Sequence, residues 1–375
     1  MTSIGGAEMV DWNLAVATAT RFVRPGPEVT REEARAVVAE LRRHAKASEE
    51  HVRRFTQMIP ESHQPEDTPV LVVDRAGWVR ANVAGFRELL KPLLEKMQER
   101  RPGGAGGAVL GAVGGKVTGV ELGMLLSFLA SRVLGQYETF APATRELPAG
   151  SNGGGRLLLV APNIVHVERE LEVDPHDFRL WVCLHEETHR TQFTGVPWLR
   201  DHLEGEIQSF LGETEVDPMT VLERLREAAQ SLSGARPEGE EDEGRSIVEL
   251  VQTPAQREIL GRLTAVMSLL EGHADFVMDG VGPDVVPSVA EIREKFQQRR
   301  ARGASRLDQA LRKLLGLDAK LRQYRDGERF VRAVVEEVGM DGFNRVWTSP
   351  NTLPTKAEIA KPADWVARVH RKAES

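Results

Sequence analysis

Cysteine is almost absent from this chain of 375 residues, where Cys183 stands alone. One thiol cannot build a disulfide framework within the chain, and the count fits a reducing compartment. An excess of basic charge is also missing. Lys and Arg total 49 against 56 Asp and Glu, for a formal net charge of −7. Binding to nucleic acid needs a concentrated cationic face, so nucleic acid is not expected as a partner. Long uncharged apolar runs are lacking as well. The most apolar stretch, residues 105–134, is interrupted by Lys116, Glu121 and Arg132. That leaves no run of about 18 residues suited to a bilayer, and no membrane span is expected. Residues 1–11 show no basic segment leading into an apolar one, so no secretory signal is expected. These absences together point to a cytoplasmic globular protein.

What is present is mainly helical pattern. Thr30 followed by Glu33 has the form of a capping box and opens a charged helix running to about Met58. Residues 78–100 are again helical in period. Gly103, Gly107, Gly111, Gly115, Gly119 and Gly123 recur every four residues, along one ridge of a helix. Glycine costs up to ~1 kcal/mol per helix position relative to alanine. Six of them, interleaved with Val and Leu, imply a core helix closely approached by a neighbour. Residues 70–73 form a short apolar run with strand character. Arg156 to Val160 is the strongest strand, ended by Ala161-Pro162-Asn163. Helices are expected over 174–193, over 199–229 with breaks near Gly212 and Pro218, over 254–279 and over most of 289–338. Residues 233–244 are acidic and poor in apolar side chains, as in a solvated loop. The expected fold is mainly α with a small β component. A helical N-terminal part, 1–150, and a second part, 151–375, are expected to form one globular unit.

The chemistry concentrates in His185-Glu186-Glu187-Thr188-His189. On a helix the two histidines stand one turn apart on one face, so both imidazoles can reach one ion. Zinc accepts such nitrogens. Glu186, beside the first histidine, can take a proton from an activated water without ligating the ion. The apolar residues Phe178, Trp181, Val182 and Leu184 suit a buried helix. A third ligand is needed. Gln192 and Gly195 stand where the metzincin pattern requires Gly and His, which excludes that class. In the helix from Pro254, the residues Leu260, Leu263, Met267, Leu270, Ala274 and Met278 mark an apolar face, and Glu271 falls within it. A lone carboxylate there is costly unless it is paired or metal-bound. Asp275, one turn on, could accept the outward N–H of a ligating histidine. Glu271-Gly272-His273-Ala274-Asp275 therefore has the Glu-x-x-x-Asp arrangement of gluzincins. His273, turned about 200° from Glu271, is expected at the surface or facing a partner. The strand at 157–160 is expected at a sheet edge, where an extended substrate could add as a further strand.

Several segments outside this motif carry a resemblance. They are Asp11-Trp12, Arg24-Pro25-Gly26-Pro27, Val133-Leu134-Gly135-Gln136-Tyr137, Val160-Ala161-Pro162-Asn163, Val196-Pro197-Trp198-Leu199-Arg200, Lys320-Leu321-Arg322-Gln323-Tyr324 and Gly342-Phe343-Asn344-Arg345-Val346-Trp347. With Leu184-His185-Glu186, Thr188-His189-Arg190 and Glu271-Gly272-His273-Ala274, they make the chain resemble a family of actinobacterial zincin-like hydrolases associated with biosynthesis of the deazaflavin coenzyme. The resemblance covers nearly the whole chain. It implies a mostly helical zincin-like metallopeptidase fold, with zinc held by His185, His189 and Glu271 and with Glu186 as general base. Gly195 departs from the pattern at a position that is not a ligand. No residue run indicates a flavin site.

The activity expected from these residues is zinc-dependent hydrolysis of a peptide or protein. An oxyanion stabiliser is also needed, and Tyr324, in the polar run 322–325, is the candidate. The rival expectation is a zincin-fold binding or scaffold protein that holds zinc without hydrolysing peptides. A membrane-associated protease using the glycine helix is a third alternative.

Overall fold

Asp11 and Thr30 start the first two helices by the same chemistry. The structure is a computed structural model that describes residues 9–58, 69–99, 105–140, 155–213, 253–301 and 317–370. Asp11 accepts a hydrogen bond from the Leu14 amide at 2.9 Å and opens α1, Trp12–Phe22. Thr30 opens α2, Arg31–Thr56, through the expected capping box: the Glu33 amide donates to its hydroxyl and its own amide donates to the Glu33 carboxylate. Both devices satisfy amides that have no partner inside the helix. The chain continues as β1 (Val70–Val73), α3 (Arg75–Glu99), α4 (Ala105–Ala130), β2 (Gly135–Glu138), β3 (Arg156–Val160), α5 (Ala161–Leu171) and α6 (Pro175–Gly195). Then follow α7 (Pro197–Gly212), α8 (Pro254–Gly280), α9 (Val289–Ala301), α10 (Leu317–Asn344), two short 3-10 turns, α11 (Lys356–Ala360) and α12 (Pro362–His370). The architecture is mainly α with a small β part, as expected. The acidic segment 233–244 and the helix expected beyond Glu213 lie outside the described residues.

Two compact units are present. The first comprises Met1–Gly195 with Val277–Phe296. Its three-stranded sheet has the order β1-β3-β2, with β1 parallel to β3 and β2 antiparallel to it. The strand at 157–160 is therefore central, not the edge that the sequence suggested. Every residue of β3 is buried, and its alternating side chains reach two different cores. Leu159 joins the cluster of α2, α5 and α6, while Leu158 and Val160 join the cluster of α1, α3 and α4. A strand covered on both faces reads as a continuous apolar run, which is why its position in the sheet was not legible. The run Ala161-Pro162-Asn163 does not merely end the strand. It begins α5, because Pro162 stands in the first turn, where a missing amide proton costs nothing.

The glycine ridge packs as expected where its side is described. A Cβ on Gly119 would lie 2.6 Å from the Asp11 carbonyl oxygen, and one on Gly123 2.6 Å from that of Ala15. The Asp11 amide donates to the Gly115 carbonyl at 2.9 Å. α1 and α4 thus meet backbone to backbone, which glycine alone permits. Among the described residues no helix is long and apolar enough to cross a membrane.

The second unit comprises Val196–Phe276 with Gln297–Ser375. Gly272 of α8 and Gly327 of α10 allow another close crossing, since a Cβ on Gly327 would lie 1.9 Å from the Ser268 carbonyl oxygen. The Trp198 indole donates to the Trp347 carbonyl at 3.0 Å. α10 breaks at Gly339, whose φ of 74° suits glycine. The buried side of α8 differs from the stripe read in the sequence. Ile259, Val266, Leu269, Leu270 and Ala274 are buried, while Met267 is exposed. α8 buries more than one stripe, and an apolar count along a single ridge misjudged its rotation.

Gly123→Val is expected to lower stability by about 1–3 kcal/mol through overpacking of α1 against α4. Gly205→Ala, on α7 with no atom within 4 Å of the added carbon, is expected to raise stability by about 0.4–1 kcal/mol. Urea titration of the two variants checks both signs, and an unchanged midpoint for Gly123→Val would contradict the close approach.

Candidate metal centre

α6 is anchored at its start before it reaches the site. Asp174 accepts from the Asp177 amide at 3.0 Å, and Asp177 accepts from the Ser288 amide and hydroxyl at 2.8 and 2.7 Å. Phe178, Trp181, Val182 and Leu184 are buried in the core shared with α2 and α5, as their sequence pattern implied. The helix then presents His185 and His189 one turn apart. Their Nε2 atoms lie 3.2 Å apart, and the rings stand edge to face at 87°.

The other ring nitrogens are held by different neighbours. His185 Nδ1 lies 3.1 Å from Met278 Sδ, and His189 Nδ1 lies 3.0 Å from Gln192 Oε1. Both rings are thereby turned so that Nε2 is the atom they share toward one point. Glu271 stands on α8, the helix whose last turn places Val277 and Met278 in the core beside α6. His185 and His189 offer two nitrogen donors from α6, and Glu271 offers a carboxylate from α8. All three residues are half-buried. A tetrahedral zinc site with bonds of about 2.0–2.1 Å has ligand–ligand edges of about 3.3 Å. The 3.2 Å between the imidazole nitrogens matches that edge, so the donor set fits zinc.

The residues between the histidines face elsewhere. Glu186 is 6% exposed and packs on β2: a Cβ on Gly135 would lie 2.5 Å from its carboxyl carbon. Glycine at 135 leaves the space that the carboxylate occupies. Glu187 is buried and pairs with Arg190 at 2.9 Å, and Arg190 reaches Glu49 of α2 at 3.2 Å. Burial pushes the Glu187 carboxyl up to about 7, against the opposing pull of Arg190. Burial likewise pushes the Cys183 thiol up, with Glu186 and Glu187 adding to it. Cys183 is a core residue facing the Leu41 carbonyl.

Of the other candidates, Asp275 lies one turn beyond Glu271 on α8 and is half-buried. Tyr324 belongs to α10, and its side chain lies outside the described residues. His273 is not at the surface. It is fully buried, with its ring 5.2 Å from that of Phe343 and 5.5 Å from that of Trp347. Gly135, Gln192 and Met278 were missed as site residues. Gln192 was legible in principle, being one helical turn beyond His189. Gly135 and Met278 come from other elements, and nothing local marks them.

A protein-family model described as zincin-like metallopeptidase matches residues 10–366. The chain belongs to the zincin-like metallopeptidase family. The crystal structure of a "putative hydrolase with a novel fold" from Chloroflexus aurantiacus is similar over 96% of this chain and 99% of that one, at 32% identity and a TM-score of 0.67. No curated protein matches. The family implies a metal, typically zinc, and the donors of this zincin-like chain suit one.

Gln192→Ala frees the His189 ring to rotate. The zinc equivalent that depends on His185 is expected to bind about 10–100-fold more weakly in this variant. Competition with a chromophoric chelator measures the change, and an unaltered affinity would dismiss Gln192 as the orienting group.

Proposed function

We propose that this zincin-like chain is a zinc-dependent metallopeptidase acting on a peptide or protein. The observation that carries the reading is the pairing of the His185 and His189 Nε2 atoms at 3.2 Å on one face of α6, beside a buried carboxylate, Glu186. His185 and His189 would hold zinc through Nε2, and Glu271 through a carboxylate oxygen. When bound there, zinc supplies Lewis acidity toward a peptide carbonyl and lowers the pKa of water. Glu186 accepts the proton of the attacking water and returns it to the leaving amine. Its position against Gly135 confines the carboxylate to one side of α6, so the proton acceptor stays put through the reaction. Asp275 and Tyr324 are assigned supporting roles, the first in orienting a ligand and the second in stabilising the oxyanion.

The sheet offers a second support. Among the described residues β2 is an edge strand, and it is the strand on which Glu186 packs. An extended peptide laid along β2 would bring a scissile bond beside that carboxylate. This assigns to β2 the substrate-pairing role that the sequence suggested for residues 157–160. A reducing cytoplasm suits the single buried thiol. The deazaflavin association contributes no residue to the site and plays no part in the mechanism.

Glu186→Gln keeps the shape and removes the base. It is expected to retain the His185-dependent zinc and to lose about 10²–10⁴-fold in cleavage rate. Digestion of a peptide library by the zinc-loaded wild type and variant, read by mass spectrometry, tests this. Equal digestion, or none by either, would favour the zinc-binding scaffold instead.

A further inference from the structure

α2 meets the first turn of α6 at a second set of nitrogen and oxygen donors. Glu40 and His44 are one turn apart on α2, and His176 stands at the start of α6. One ligand atom of each lies within 4.8 Å of the others. Glu40 Oε1 is 2.9 Å from His176 Nδ1 and 3.5 Å from His44 Nε2. These separations bracket the edge of about 3.3 Å expected around tetrahedral zinc. The two rings stand 4.5 Å apart at 74°. The His185–His189 rings stand 4.8 Å apart at 87°. The two histidine pairs thus present nearly the same geometry.

His44 is the informative member. It is 7% exposed, and its Nε2 has no hydrogen-bond partner. An ion-pair network explains the bond between His176 and Glu40, but it leaves this buried nitrogen 3.5 Å from the carboxylate, without a hydrogen bond of its own. A cation between them satisfies both. Arg179 binds Glu40 through Oε2 and Glu168 through both oxygens. The Arg179 bond also fixes Glu40 with Oε1 toward the histidines, as an outer hydrogen bond does for a ligating carboxylate. Burial, with the neighbouring His176, holds the His44 pKa below its ordinary value, and the neutral ring is the form that ligates. His176 is 64% exposed, which leaves a path for entry and room for water as fourth ligand.

We propose that Glu40, His44 and His176 form a second site for a divalent transition-metal ion of the zinc class, which staples α2 to the start of α6. Imidazole and carboxylate donors suit that class. The site is distinct from the one at His185, since nine residues of helix separate His176 from it, a rise of about 13.5 Å. It does not depend on the proposed peptidase activity.

The full chain is stripped with chelator, reloaded with Zn²⁺, desalted and assayed for zinc by elemental mass spectrometry. Two equivalents are expected in wild type, one in His176→Ala, one in His185→Ala/His189→Ala, and none in the triple variant. Zn²⁺ should raise the melting temperature of the double variant and not of the triple. Circular dichroism reports whether each variant folds. His176 is exposed, so its single variant decides the matter even if the double variant does not fold. Zinc content equal to wild type in His176→Ala would overturn the inference. Zinc lost with His176 but unaffected by His185 and His189 would sustain it while removing the basis of the peptidase reading.

Discussion

α6 turns about 100° per residue, so residues 185, 186, 187 and 189 leave it in three directions. His185 and His189 share one. Glu186, a hundred degrees on, meets Gly135 of β2. Glu187, a further hundred degrees on, is buried against Arg190 and through it linked to Glu49 of α2. Each direction makes a different demand on its surroundings: donors on one side, an uncrowded backbone on the next, a compensating cation on the third. The first unit supplies the last two from β2 and from α2 with Arg190. A rotation of α6 by one residue would set either a histidine against β2 or, in the opposite sense, a carboxylate where the donors gather. The helix phase therefore couples packing to chemistry.

A frame of polar contacts ties together the elements around the C-terminal end of β3. Asn163, at the start of α5, donates to the carbonyls of Ala130 and Val133 at 2.8 and 2.6 Å. It accepts from Arg75 Nε at 2.6 Å, and Arg75 donates to the carbonyls of Arg24 and Pro25. One amide side chain thus ties the end of α4, the start of α3 and the loop before α2. Buried carbonyls at chain turns need such partners. Several segments through which the chain resembles its family, those at residues 24–27 and 160–163 among them, are parts of this frame and touch no candidate ligand.

What was legible in the sequence followed from periodicity and from chemistry confined to one helix. The capping box at Thr30, the glycine ridge on α4 and the His185–His189 pair each fit within a few turns of chain. Glu271 was singled out as a carboxylate among apolar neighbours, and it is half-buried on α8 even though the stripe was misphased. The position of β3 was not legible, because Arg156-Leu157-Leu158-Leu159-Val160 reads alike at an edge or in the centre, and only pairing with β1 and β2 decides. β2 itself, Gly-Gln-Tyr-Glu, has little strand signal and exists because β3 offers it an edge. His273 looked like a polar residue turned outward. It is buried because Phe343 and Trp347, some 70 residues on, cover it.

The same non-local logic places the general-base candidate. β2 and β3 are antiparallel, with Glu138 opposite Arg156 and Gly135 opposite Leu159. Arg156 is fully buried and donates to Glu138 at 2.6 Å. Leaving that guanidinium without its carboxylate would cost roughly 3–5 kcal/mol. A slip of one residue would send Glu138 to the opposite face, and a slip of two would keep the faces but part the pair. Either slip would also bring a residue with a Cβ to the place of Gly135, where 2.5 Å separates that position from the Glu186 carboxyl carbon. The ion pair at one end of the strands thus selects the register, and the register decides that glycine faces Glu186. A charge pair that touches no candidate ligand is in this way part of what aims the carboxylate.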